Sequence, residues 1–76
     1  MNRTSARQLV VCIQNEDYAA SLEKRKIYVA LRDAAAEAHG LLRIVDESGE
    51  DYLYPKNFFR AIELPQTVRR AVLSAA

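Results

Sequence analysis

The chain has 76 residues, a mass of 8.6 kDa, a formal net charge of +1 and a pI near 7.9. At that length it makes one domain that buries only about 60% of the surface its unfolded form exposes, so each large apolar side chain matters. Half of the residues are hydrophobic, which excludes a disordered chain, and the near-neutral balance supplies no long-range field for polyanionic nucleic acid or an anionic membrane.

A single cysteine, Cys12, has no partner for an intramolecular disulfide. The sequence carries no apolar run of membrane-spanning length and no signal-peptide core, so the reducing cytoplasm is the expected compartment and no membrane partner is expected.

Taken in chain order, residues 1–8 (M-N-R-T-S-A-R-Q) are polar and aperiodic and read as a flexible tail. L-V-V-C-I-Q, from Leu9 to Gln14, is a short β-branched run of the kind that forms a buried strand, with Cys12 as a small core residue. N-E-D-Y-A-A-S, residues 15–21, holds turn formers and two solvated acids, Glu16 and Asp17.

Residues 17–39 admit two readings. Strong helix formers and Gly40 at a C-capping position favour one long helix. Against it, Ile27, Val29 and Leu31 alternate with Tyr28, Ala30 and Arg32 at strand period, and a helix of that length exceeds the usual. The preferred reading is a strand over Lys26 to Arg32, then an Ala-rich connection from Asp33 to Gly40 containing one helical turn.

L-L-R-I-V-D-E from Leu41, the turn at Ser48-Gly49 and a returning strand from Asp51 to Tyr54 make a hairpin. Pro55 to Phe59 reads as a tight turn and Arg60 to Leu64 as a last strand with Ile62 and Leu64 inward. Pro65 opens a C-terminal helix over 65–76 in which Val68, Ala71, Val72 and Ala75 share a face and Arg69 and Arg70 meet water.

The fold expected from this pattern is mainly β. It is a five-stranded half-open barrel over 9–64 with the 65–76 helix packed on it, the alternative being an α+β protein with one long helix over 17–39.

A surface site is sought in residues 46–59, D-E-S-G-E-D-Y-L-Y-P-K-N-F-F, which hold four of the six aromatics and four of the ten acids. In a pleated strand Tyr52 and Tyr54 point to one face and Leu53 to the other. With Leu53 in the core beside Ile44 and Ile62, both tyrosines are exposed near Phe58, and exposed rings rimmed by charge mark interfaces. The alternative has a phenylalanine plugging the barrel end and the tyrosines packing on the C-terminal helix.

S-L-E-K-R-K-I-Y-V resembles the diverging turn of Src-homology-3-like domains, and Y-P-K-N-F-F-R-A-I-E-L resembles their proline, asparagine and aromatic stretch before the closing strand. The likeness spans about Leu9 to Leu64. It implies peptide-groove roles for Pro55 and Phe58 and an acidic-loop role for Glu16 and Asp17. The chain departs from the family in having no tryptophan and no tyrosine in its first strand, rings that hold polyproline ligands. E-S-G-E-D-Y-L-Y-P also resembles small stand-alone bacterial proteins, which implies a prokaryotic source.

Catalytic candidates are sparse. His39 is the only histidine and lies far along the chain from Cys12. Asp46, Glu47, Glu50 and Asp51 surround one turn without the alternating oxygen spacing of a calcium loop and read as a solvated hairpin tip. No glycine-rich phosphate loop or zinc spacing is present, so no cofactor or metal is expected.

The expected function is non-enzymatic: binding of a protein partner, or self-association, through the 52–59 corner at Tyr52, Tyr54, Pro55 and Phe58 with Glu16 and Asp17. A regulatory nucleic-acid-binding protein using Lys24, Arg25, Lys26, Arg69 and Arg70 is the disfavoured alternative. A hydrolytic enzyme resting on His39 is weaker still.

Overall fold

Between the two readings of residues 17–39, the strand prevails. The computed structural model describes residues 7–75 and has β1 (Arg7–Cys12), β2 (Ile27–Leu31), α1 (Ala34–Ala38), β3 (Leu41–Val45) and β4 (Asp51–Pro55). A single 3-10 turn (Lys56–Phe58), β5 (Phe59–Ala61) and α2 (Gln66–Ser74) follow. β2 is a strand because its β-branched and aromatic residues pair on both sides, with β1 and with β3, and such tertiary pairing outweighs the helix propensity of the flanking alanines.

All strand pairs are antiparallel, in the order β4-β3-β2-β1-β5, and the two outer strands do not pair with each other, so the sheet stays open. The fold is mainly β, and its strand order is compatible with the Src-homology-3-like arrangement. Of the expected tail, residues 1–6 lie outside the described residues, while Arg7 and Gln8 belong to β1.

Register decides what is inside. Val10 opposes Tyr28, Cys12 opposes Phe59, Ala30 opposes Ile44 and Leu42 opposes Tyr54. Val10, Cys12, Tyr28, Ala30, Ile44, Tyr54 and Phe59, with Leu22 from the β1–β2 loop, form the hydrophobic core, and Leu42 and Phe58 pack against it. The inner row of β2 is thus Tyr28 and Ala30, and Ile27 is on the outside.

β4 is reversed relative to expectation. Tyr54 is buried at 4% exposure, and Leu53 is 40% exposed opposite Arg43. Tyr54 displaces Leu53 from the core because its hydroxyl finds buried partners there, which removes the main cost of burying a tyrosine.

α1 is capped by Asp33, whose Oδ1 accepts from the Ala36 amide at 3.0 Å, while its Oδ2 takes Arg43 from β3 at 2.9 Å. α2 starts directly after Pro65. Its half-buried residues are Arg69, Val72 and Leu73, while Val68 and Ala71 are exposed. Arg69, expected in water, instead donates from Nη2 to the Arg7 carbonyl at 2.6 Å and ties the helix to the start of β1. Among the described residues no helix is long and apolar enough to cross a membrane.

Candidate functional site

The loop from Ile13 to Lys26 folds down onto the corner formed by β4, the 3-10 turn and β5. Its base is closed by Cys12 N–H donating to Lys26 O and Arg25 N–H donating to Cys12 O, with Arg25 in the left-handed region at φ 71°. Ile13 N–H donates to Phe58 O at 2.8 Å, which joins the loop to the 3-10 turn. Inside the loop the amides of Ser21 and Leu22 both donate to Tyr18 O, Asn15 Nδ2 donates to Leu22 O, and Leu22 anchors the loop in the core at 1% exposure.

Two polar networks pin this loop to the β3–β4 hairpin. In the first, the Tyr54 hydroxyl donates to Asp46 Oδ2 at 2.5 Å, Ser21 Oγ lies 2.9 Å from the same hydroxyl, and Ser48 donates to Asp46 Oδ1 from both its amide and its hydroxyl. Asp46 is buried, so the acids around Gly49 are not the purely solvated tip the sequence suggests. Burial alone would raise the Asp46 carboxyl, but the hydrogen bonds from Ser48 and Tyr54 outweigh it and hold it below the usual range. The Tyr54 phenol is pushed up by burial and by its bond to that carboxylate.

In the second, Tyr28 donates to Glu47 Oε2 at 2.5 Å and accepts the Glu23 amide at 2.7 Å, while Lys26 Nζ meets the same Glu47 oxygen at 2.6 Å. Lys26 and Tyr28 hold the Glu47 carboxyl down.

On this frame stands a ring cluster. Tyr18 rests edge-on against Tyr54, centroids 5.0 Å apart, and lies 6.0 Å from the Phe58 ring. Tyr54 in turn abuts Phe59 at 6.4 Å, so its support is this ring set. Tyr18 keeps 40% of its surface exposed, Ile13 43%, and Phe58 is half-buried. Glu16 and Asp17 are exposed immediately before Tyr18, and Asp17 adopts φ 72°, a left-handed turn conformation that aspartate tolerates better than most residues.

The six residues expected to bind are thus distributed unevenly. Phe58 belongs to the exposed patch, Glu16 and Asp17 flank it, and Pro55 is half-buried at the entry to the 3-10 turn carrying Phe58. Tyr54 is a buried support for the patch, which corrects its expected exposure. Tyr52 shares the face of Tyr54 but sits nearer the hairpin end on an edge strand, where it is half exposed and donates to Glu50. It joins none of these ring contacts.

Two residues lie outside the sequence-based expectation: Tyr18, whose ring adjoins Phe58, and the exposed Ile13, joined to Phe58 through its backbone amide. A signal for Tyr18 existed: it is the one aromatic inside the turn region of residues 15–21. Nothing local marks Ile13, which continues the apolar run of β1.

Cys12 is fully buried, its Sγ 3.2 Å from Gln14 O, and burial pushes its thiol up, away from the nucleophilic thiolate. His39 is exposed at the C-terminal cap of α1. Among the described residues no three His, Cys, Asp or Glu side chains are grouped to hold a metal ion. No family model, curated protein or solved structure matches this chain.

Proposed function

We propose that the chain is a non-enzymatic interaction module of Src-homology-3-like architecture that takes a protein partner on the Ile13, Tyr18 and Phe58 surface. The observation that carries this reading is Tyr18: a large ring left 40% exposed on a loop tied to the β3–β4 hairpin by the hydrogen bonds of Ser21 to Tyr54 and Glu47. A rigid, partly exposed aromatic loses little conformational freedom on binding, which is why such rings anchor interfaces. Glu16 and Asp17 alongside favour a partner presenting lysine or arginine next to an apolar residue. The cytoplasm is the compartment proposed for it.

A proline-rich peptide is not the expected ligand, because the chain has no tryptophan and its first strand no tyrosine to form successive ring-lined grooves. The nucleic-acid reading is weakened by the hydrogen bonds that commit two of its cations, Lys26 to Glu47 and Arg69 to the Arg7 carbonyl.

The test compares wild type with Tyr18→Ala and Phe58→Ala, both checked for retained fold by amide dispersion, in light scattering and in capture of host partners. Each substitution is expected to weaken association by about 2 kcal/mol or more. Unchanged association in folded variants removes this surface, and saturable shifts with a proline-rich peptide restore the usual ligand of the resembled family.

A further inference from the structure

The core is filled at one end of the sheet and underfilled at the other. Along the inner face of β1 exposure runs from Cys12 at 0% and Val10 at 2% to Gln8, which is exposed. Gln8 opposes Ala30 on β2, and Val10 opposes Ala61 on β5, so two methyl groups stand where larger side chains would close the end. The result is a cavity of about 290 Å³ with a floor of Val10, Ala30, Leu42, Phe59 and Ala61. Protein interiors hold few voids larger than a water molecule, and a recess of this size stands at the small end of ligand pockets, roughly 300–1000 Å³.

Its rim is cationic although the chain is nearly neutral. Arg7, Arg32 and Lys56 line it with one acid, Glu37, which leaves an excess of two positive charges at the mouth. Glu37 is already engaged, its Oε2 accepting the Asp33 amide at 3.3 Å and lying 4.0 Å from Arg32 Nε. The Gln8 amide nitrogen donates to the carbonyls of Leu9 and Ile62, at 3.3 and 3.4 Å.

From the apolar floor and cationic rim we infer that this end of the sheet is a binding site for a small carboxylate with an apolar body. The body fills the space left by Ala30 and Ala61. The carboxylate meets the guanidinium group of Arg32, whose planar fork matches two carboxylate oxygens, with Arg7 and Lys56 as further positive charges nearby. The site shares no residue with the Ile13, Tyr18 and Phe58 surface and stands independently of the function proposed for it.

Octanoate is the probe, octanol the uncharged control of equal length, and acetate the control without a body, each titrated into the full chain and followed by amide shifts. Octanoate is expected to give saturable shifts at Gln8, Ala30, Leu42 and Ala61, with octanol and acetate each weaker by about tenfold or more. Ala61→Leu, at an exposed position lining the recess, is expected to fill it and weaken octanoate by about tenfold while keeping the dispersed spectrum of the folded chain. Arg32→Gln is expected to weaken octanoate but leave octanol unchanged, and it decides the matter if Ala61→Leu fails to fold. Absence of saturable shifts at these residues overturns the site. Octanol equal to octanoate overturns the anion, and shifts confined to Ile13, Tyr18 and Phe58 overturn the location.

Discussion

Replacing Tyr54 by alanine is expected to remove a large share of the stability of this domain, while replacing its neighbour Leu53 removes little. The ring of Tyr54 is buried against Tyr18 and Phe59, and its hydroxyl donates to the buried Asp46. Truncating a buried aromatic costs roughly 3–5 kcal/mol, and leaving the Asp46 carboxylate short of a donor adds about 1–3 kcal/mol. A 76-residue domain has a total stability of about 4–11 kcal/mol at the usual 0.05–0.15 kcal/mol per residue, so Tyr54→Ala is expected to lose most of it. Tyr54→Phe keeps the ring and isolates the hydroxyl, with a cost of about 1–3 kcal/mol. Leu53, at 40% exposure opposite Arg43, is expected to lose less than about 1 kcal/mol on truncation to alanine. Thermal and urea denaturation of the three variants measures this directly, each kcal/mol moving Tm by about 4–8 °C in a domain of this size. Tyr54→Ala melting close to wild type, together with a strongly destabilised Leu53→Ala, would refute the assignment of β4's faces and the support it gives to Tyr18.

The remaining predictions concern the charges and turns around this frame. Asp46 and Glu47 are both held below their ordinary values in the folded state, so their contribution is complete above the ordinary carboxylate range and is lost as pH falls through the lowered values. Melts from neutral pH down to about pH 2 are expected to fall steeply only at the acid end, and less steeply in Asp46→Asn, which starts from a lower stability. Asp33→Ala removes the cap of α1 and one partner of Arg43 and is expected to cost about 1 kcal/mol by urea denaturation, Asp33→Asn less. Gly49 has φ +86° and no neighbouring atom within 4 Å of the place a side-chain methyl would take, so Gly49→Ala is expected to cost about 1–2 kcal/mol in the same assay, from backbone conformation alone.

Much of the architecture was legible because it follows from local pattern. The β-branched run at Leu9, the alternation from Ile27 to Leu31, the Gly49 turn and Pro55 each carry their own backbone preference, and all four lie where the fold uses them. The helical turn within the Ala-rich connection from Asp33 to Gly40 was legible for the same reason, while its Asp33 cap emerged only from the structure.

Which face of each strand turns inward was decided by the tertiary structure. Alternation is symmetric under exchange of faces, and hydropathy favours Leu53 over the row Tyr52-Tyr54, the reverse of the face the fold buries. The choice fell to partners distant in the chain: Ser21 and Asp46 accommodate the Tyr54 hydroxyl, and Tyr18 and Phe59 accommodate its ring. Hydropathy of single residues contains none of that, since a tyrosine is a core residue only where its hydroxyl is satisfied. The candidate surface moved for the same reason. Once Tyr54 is inside, the exposed ring above it is Tyr18, brought there by a loop whose path is set by Leu22 in the core and by hydrogen bonds to the opposite hairpin. Sequence alone missed the bounds of the last strand, expected over residues 60–64 and found at Phe59–Ala61 because Phe59 enters the core opposite Cys12. It determined the composition, the turns and most of the strands, which depend on neighbours along the chain. The tertiary structure determined burial and the site, which depend on neighbours across it.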